Sequence, residues 1–318
     1  MKEYKAENII NVALAGHASS GKTSLAESFS FCSGKIRQKG SIQSGNTLSD
    51  YRKQEIDHQH SISMSLINFE HLDKKFNLID TPGYIDFIGE MKAGLGVVDL
   101  AGLIVNSSEG IEVGTELAWE FSTNNKTAKF IVINMCDRDQ SDFNKSLSSL
   151  QERFGRQIFP INYPLEEGAG FNKIADVLKR ETLNFDASGN FTSEQADDST
   201  KSKLDEYYEQ LIELVAESDE ALLESFFDKG ELTDEELKKG MNKAIISKSL
   251  IPVFCCSGDK NIGSKRILEF LAKYSISSAD IESHNAKDMS GNEIKVKKTD
   301  TDLSAYVFKT LSEEHVGE

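Results

Sequence analysis

The chain is short of three things: cysteine, long apolar runs and positive charge. It has four cysteines in 318 residues. Cys255 and Cys256 are adjacent, Cys32 and Cys136 stand alone, and no C-x-x-C pair exists. This spacing argues against a disulfide framework or a structural zinc site and leaves the thiols as small apolar core side chains. No stretch approaches the ~20 apolar residues that cross a bilayer. The opening MKEYKAEN lacks the apolar centre of a signal peptide, so the expectation is a cytoplasmic protein with no membrane partner. Lys and Arg number 36 against 52 Asp and Glu, a net charge of −16. A non-specific nucleic-acid coat needs the opposite sign; contact with RNA is confined to local patches or runs through protein. Residues Glu166 to Leu250 alone carry 21 acidic and 10 basic side chains. Such a surface either keeps the chain soluble or docks on basic proteins. There is no internal repeat and no coiled-coil register.

What is present begins with the run Gly16-His17-Ala18-Ser19-Ser20-Gly21-Lys22-Thr23, followed by Ser24. It fits the phosphate-loop pattern G-x-x-x-x-G-K-[S/T]. The apolar stretch Asn8 to Ala15 ahead of it reads as a buried strand. Ser24 to Cys32 behind it reads as a helix, with Leu25, Phe29 and Cys32 on one face and Gly34 as its stop. A loop between strand and helix turns consecutive N–H groups inward at the positive end of the helix, which suits phosphate. Lys22 then reaches the outer phosphates, and the Thr23 hydroxyl is a ligand for Mg²⁺.

Three later signals narrow the nucleotide. Asp80-Thr81-Pro82-Gly83 follows the strand-like KFNLI, placing Asp80 to hold the Mg²⁺ shell through water and the Gly83 amide to meet a γ-phosphate. Asn134-Met135-Cys136-Asp137 follows the apolar run at 130–133. It resembles the guanine-reading box Asn-Lys-x-Asp, with Asp137 accepting from the two donors on guanine's edge. Ser257-Gly258, after IPVFCC, resembles the turn whose backbone N–H touches the guanine oxygen, although the pair is also a generic turn. The expected ligands are GTP or GDP with Mg²⁺.

The resemblance then becomes specific. Residues 45–51 (GNTLSDY), Ser61-Ile62-Ser63, residues 80–87 (DTPGYIDF), residues 109–112 (EGIE) and Thr115-Glu116 are similar to the elongation factor G family. That family includes the tetracycline-resistance ribosomal protection proteins. The likeness runs from about Asn8 to the carboxyl end and is weakest between about Leu183 and Lys248. It implies a monomeric translational GTPase that drives translocation on the ribosome, meeting ribosomal RNA and stalk proteins. It also implies roles: Lys22 and Tyr84 catalytic; Thr23, Ser61 and Asp80 around the metal; Gly83 sensing the γ-phosphate.

The fold class expected is α/β: a phosphate-loop NTPase with a mostly parallel sheet and helices on both faces, plus an inserted α+β subdomain. Strands are expected near 9–15, 62–69, 75–80, 100–106, 129–134 and 251–256, with helices near 22–32, 86–95, 113–123, 142–154 and 262–274. More than a hundred residues separate the guanine box from the last strand, too many for a plain connection. Residues 1–157 are therefore read as the first part of the GTP-binding domain and 158–248 as an acidic insert. Residues 249–275 return to the GTP-binding domain. Within the insert, 158–180 suggests strands around a glycine-rich turn, 201–227 one amphipathic helix, 234–246 another helix, and 187–202 a polar loop. Residues 276–318 read as a linker and then a strand at 303–309, which in the family opens a β-barrel domain truncated here.

Some positions depart from the family. Tyr84 stands where a histidine orients the attacking water, and a phenol carries no positive charge near neutral pH. Met135 replaces a lysine whose ammonium holds the ribose side. His60 replaces an apolar residue that shields the attacking water. Together these predict weaker nucleotide binding and slower hydrolysis. The boxes do not separate a translocase from a ribosomal protection factor, and the same changes suit a ribosome-binding factor that retains nucleotide without hydrolysing it. A phosphate-loop kinase would leave the DTPG and guanine boxes unexplained.

Overall fold

The computed structural model describes residues 2–229, 232–297 and 300–311. In chain order it contains β1 (Ile9–Ala15), α1 (Lys22–Cys32), α2 (Lys53–His58), β2 (Ser65–His71), β3 (Lys74–Asp80), α3 (Ile88–Leu95) and β4 (Leu100–Asn106). Then come α4 (Val113–Asn124), β5 (Ala128–Asn134), α5 (Phe143–Phe154), β6 (Ile158–Pro160), β7 (Asn162–Pro164), β8 (Lys173–Asp176), β9 (Glu181–Phe185) and β10 (Phe191–Gln195). The chain continues through α6 (Asp198–Ala216), α7 (Glu220–Lys229), α8 (Asp234–Ser247), β11 (Ile251–Cys255), α9 (Ser264–Tyr274), β12 (Ser283–Lys287) and β13 (Glu293–Lys297).

Seven strands form the main sheet in the order β2-β3-β1-β4-β5-β11-β6. Only the edge strand β2 is antiparallel to its neighbour. The apolar runs of β4, β5 and β11 follow from this arrangement. Parallel strands covered by helices on both faces bury every side chain, and all seven residues of β5 are buried. Strand β2, at the edge, alternates buried and exposed instead. Helices α1 and α9 pack together as one layer, α3 and α4 as another. Phe29, Phe130 and Phe254 lie in the core, and Trp119 packs half-buried against it. Because β3 and β4 flank β1 on opposite sides, the chain reverses direction across the sheet there. An open α/β sheet binds its ligand at such a switch point, beyond the carboxyl end of the strand.

A second sheet, antiparallel in the order β10-β9-β8-β7, carries the insert. Strand β6 pairs with β11 in the main sheet, so Ile158–Pro160 sits with that sheet, and the single residue Ile161 separates it from β7. Ile161 is itself bonded to both sides, donating to the Val253 carbonyl (2.8 Å) and accepting from the Val177 amide (2.9 Å). Nearby, the buried Arg266 of α9 and Asp176 of β8 form a two-point ion pair, at 2.5 and 3.3 Å.

Several expectations are corrected. The helix over 201–227 is two helices. The Asp219 carboxylate accepts from the Ala221 amide (2.9 Å) and starts α7, while Ser218 caps the end of α6 by donating to the Val215 carbonyl (2.6 Å). The polar loop at 187–202 holds the edge strand β10 and the first turns of α6, capped by Asp197. Strand β2 begins at Ser65, because the amides of Ile62 and Ser63 go to the Glu55 carboxylate (3.1 Å each) instead of a ladder. The linker contains the hairpin β12–β13, turned by Asp288. Residues 303–309 form no strand. Leu303, Tyr306 and Val307 are exposed, and Lys309 anchors the segment by reaching the Met64 carbonyl and the Glu90 carboxylate at 2.8 Å. Among the described residues no helix is long and apolar enough to cross a membrane.

Candidate functional site

Four loops converge beyond the carboxyl ends of β1, β3, β5 and β11 around a cavity of 440 Å³. The loop after β1 has Ser19 and Gly21 in the left-handed region (φ 60° and 85°), which folds the backbone into a cradle before α1. Lys22 closes it. Its ammonium donates to the carbonyls of His17 (2.7 Å) and Gly16 (3.1 Å). Burial pushes this group down to about 8, against the opposing pull of the Asp80, Glu112 and Asp50 carboxylates. Gly83, in the loop after β3, packs so tightly that a Cβ there would lie 2.7 Å from the Ala18 amide and collide with the Lys22 ammonium. Only glycine allows that approach.

Oxygen donors gather beside the cradle. Thr23 donates to Asp80 Oδ2 (2.8 Å), and its hydroxyl lies 3.3 Å from that of Ser61. Asp80 is buried, its carboxyl pushed up by desolvation, and Oδ1 has no partner. Asp50 is a member of the same group that the motifs did not single out. It is 4% exposed, both its oxygens lack partners, and it lines the cavity. Hydroxyls plus unpartnered carboxylate oxygens are the donor set of a hard divalent cation such as Mg²⁺. Among the described residues no cluster of three His, Cys, Asp or Glu side chains could cage a metal by itself. Mg²⁺, which keeps several waters and leans on phosphate oxygens, suits such a site.

Burial raises Asp50 from 3.8 to about 6. A carboxylate raised on folding destabilises the native state where it is ionised, above about pH 6, and the penalty fades as pH falls toward the unfolded value. Without divalent cations, Asp50→Asn should therefore raise the unfolding midpoint at pH 7.5 by about 2–5 °C. That gain should disappear near pH 4 in scanning calorimetry.

The wall formed by the loops after β5 and β11 is built differently. Asn134 commits both ends of its amide, donating to the Ser20 carbonyl (3.0 Å) and accepting from the Gly258 amide (2.9 Å). It ties three loops together rather than facing the cavity with a free group. Met135 follows at φ 66°, with its side chain on the cavity wall. Asp137 holds Lys260 at 3.5 Å through Oδ2 and leaves Oδ1 buried without a partner. Gly16, His17, Ser20, Asp80, Ser257 and Gly258 stand behind the wall, whereas Ala18, Ser19, Gly21 to Ser24, Ser61, Gly83, Tyr84, Asn134, Met135 and Asp137 line it. The His17 ring turns away, accepting from the Gly114 amide (3.2 Å) and lying 3.3 Å from the Glu112 carboxylate.

The roof is residues 39–43, and no motif announced how it is held. Lys39 reaches over to the carbonyls of Gly258 and, at 2.7 Å, Asp259. Glu27, buried in α1, accepts from the amides of Gly40 (3.0 Å) and Leu48. Two carboxylates, Glu27 and Glu55, thus pin the segment between α1 and β2.

The family model that matches is the elongation factor Tu GTP binding domain, over residues 7–277. Among solved structures, a crystal structure of a protein from Thermus thermophilus is 29% identical and superposes with a TM-score of 0.80. The match covers 86% of this chain and 41% of that one; the chain thus spans about two fifths of the length of that protein. The match covers most of the chain: the chain belongs to the family of the elongation factor Tu GTP binding domain.

Proposed function

We propose that this chain is the nucleotide domain of a cytoplasmic, monomeric translational GTPase resembling elongation factor G, which binds GTP with Mg²⁺ and hydrolyses it on the ribosome. The observation that carries this reading is the meeting of Thr23, Asp80 and Ser61, from three separate elements, within 2.8 and 3.3 Å beside the phosphate cradle. The chain from β7 to residue 248 is then an insert in that domain, with β6 belonging to the main sheet.

The chain's own groups divide the work. The Lys22 ammonium exchanges its two carbonyl partners for phosphate oxygens, and the amino-terminal end of α1 favours the same anion. Thr23, Ser61, Asp80 and Asp50 would hold Mg²⁺, which when bound neutralises charge on the β- and γ-phosphate oxygens. The Gly83 amide meets the γ-phosphate. When that group leaves, Ser61 and Gly83 lose a shared anchor and their loops relax. Asp137 accepts from guanine, and Met135 lies along the base.

The test has two stages. Titration calorimetry with Mg²⁺ should show GDP and GTP binding with no competition from ATP; preference for ATP overturns the reading. Phosphate release by the full-length protein should then accelerate on ribosomes, and stoichiometric retention of GTP would instead make it a non-hydrolysing binder. Release should also depend on the roof. Lys39→Ala removes two contacts to carbonyls, each about 0.5–1.5 kcal/mol. The expected result is GDP dissociation faster by about 5- to 100-fold, read with a fluorescent GDP analogue in stopped flow.

A further inference from the structure

The cavity corner beside Ser61 and Gly83 is walled by two rings whose joint role the steps above leave open. His60 and Tyr84 both line the cavity, and their ring centroids lie 4.6 Å apart at a 48° tilt. Phe87 stands 6.0 Å and His58 5.7 Å from the same imidazole. The residue after His60 is Ser61, 3.3 Å from the Thr23 hydroxyl; the residue before Tyr84 is Gly83, packed on Lys22. Both rings thus flank the point where cradle, metal donors and γ-phosphate loop meet.

The polarity of the imidazole is set by its neighbour. His60 Nδ1 lies 3.3 Å from the Ser61 carbonyl oxygen. A carbonyl only accepts, so Nδ1 donates, and Nε2 is the ring nitrogen left to accept. Attack on a terminal phosphate needs a water whose oxygen faces phosphorus and whose hydrogens point to an acceptor. The Asp50 carboxylate is buried and is already assigned above to the proposed metal set. The Tyr84 phenol is a weaker acceptor than an imidazole nitrogen, and its residue is 42% exposed.

We propose that His60, through Nε2, accepts the hydrogen bond that orients the attacking water, and that the Tyr84 ring is the shelf holding the imidazole in place. In the step, the water oxygen bonds to the γ-phosphorus and the bond from phosphorus to the bridging oxygen breaks. That electron pair stays with GDP, and the water's proton leaves with the released phosphate. His60 gains and loses no proton overall; its contribution is alignment. The proposal rests on the hydrolytic reading above.

The test is single-turnover phosphate release by the 318-residue chain with GTP and Mg²⁺, alongside affinity for a fluorescent GDP analogue. His60→Leu should lower the maximal rate by about 10- to 100-fold while GDP affinity and half-saturating GTP stay within about twofold. His60→Gln, whose amide oxygen accepts, should restore at least a third of the parent rate. A leucine variant as fast as the parent, or a glutamine variant no better than leucine, overturns the role of His60 and leaves the GTPase reading standing. A parent chain that binds GTP and releases no phosphate, alone or as full-length protein on ribosomes, removes both.

Discussion

Replacing Asp137 with asparagine is expected to lower GDP affinity by about 10²- to 10⁴-fold and to admit xanthosine diphosphate in its place. The Asp137 side chain is 6% exposed, steadied by Lys260 on one oxygen and unpartnered on the other. A carboxylate only accepts, and guanine's edge offers two donors, a ring N–H and an amino group. Each hydrogen bond to an ionised group contributes about 1.5–3 kcal/mol, and losing both gives the stated range. Xanthine carries a carbonyl where guanine carries the amino group, so an asparagine amide can donate to it. Calorimetric titration of both diphosphates against both proteins is the measurement. An asparagine variant that keeps GDP affinity within threefold would show that this carboxylate does not read the base.

Lys22→Ala should separate binding from stability. Removing one partner of a buried, hydrogen-bonded charge pair costs about 2–5 kcal/mol, so GTP affinity should fall by about 30- to 5,000-fold. The nucleotide-free protein should not suffer. Its Lys22 is buried with only two carbonyl partners and held down at about 8. A lysine lowered on folding penalises the native state below that value, and the penalty lifts as pH rises from about 8 toward the unfolded value. Without nucleotide, the parent should gain stability between pH 7 and 10 from this group, and the alanine variant should lack that rise. Adding GDP and Mg²⁺ should stabilise the parent in thermal unfolding and leave the variant almost unmoved.

The parts legible in the sequence were those written contiguously. The cradle, the DTPG turn and the guanine box each sit within eight residues and follow apolar strands that the sheet buries. The missed parts depend on distant partners or on exposed backbone. Glu27 and Glu55 look like ordinary helical acids until the chain folds their carboxylates under residues 40–48 and 62–63. Lys39 meets carbonyls more than 200 positions away. Asp50 lies inside a recognised run, yet that its carboxylate is buried shows only once the chain is folded. Strands β10, β12 and β13 are largely exposed, so no apolar alternation announced them. The break between α6 and α7 is a capping event at Ser218 and Asp219, which a helical apolar stripe conceals.

Ile161 is a seam stitched from both edges. One fully buried residue, bonded on both sides, joins the two sheets, and Arg266 rivets the insert to the last helix a short way off. The second sheet is therefore fastened to the first twice over, once through main chain and once through a buried ion pair, so loosening either contact alone leaves the other in place.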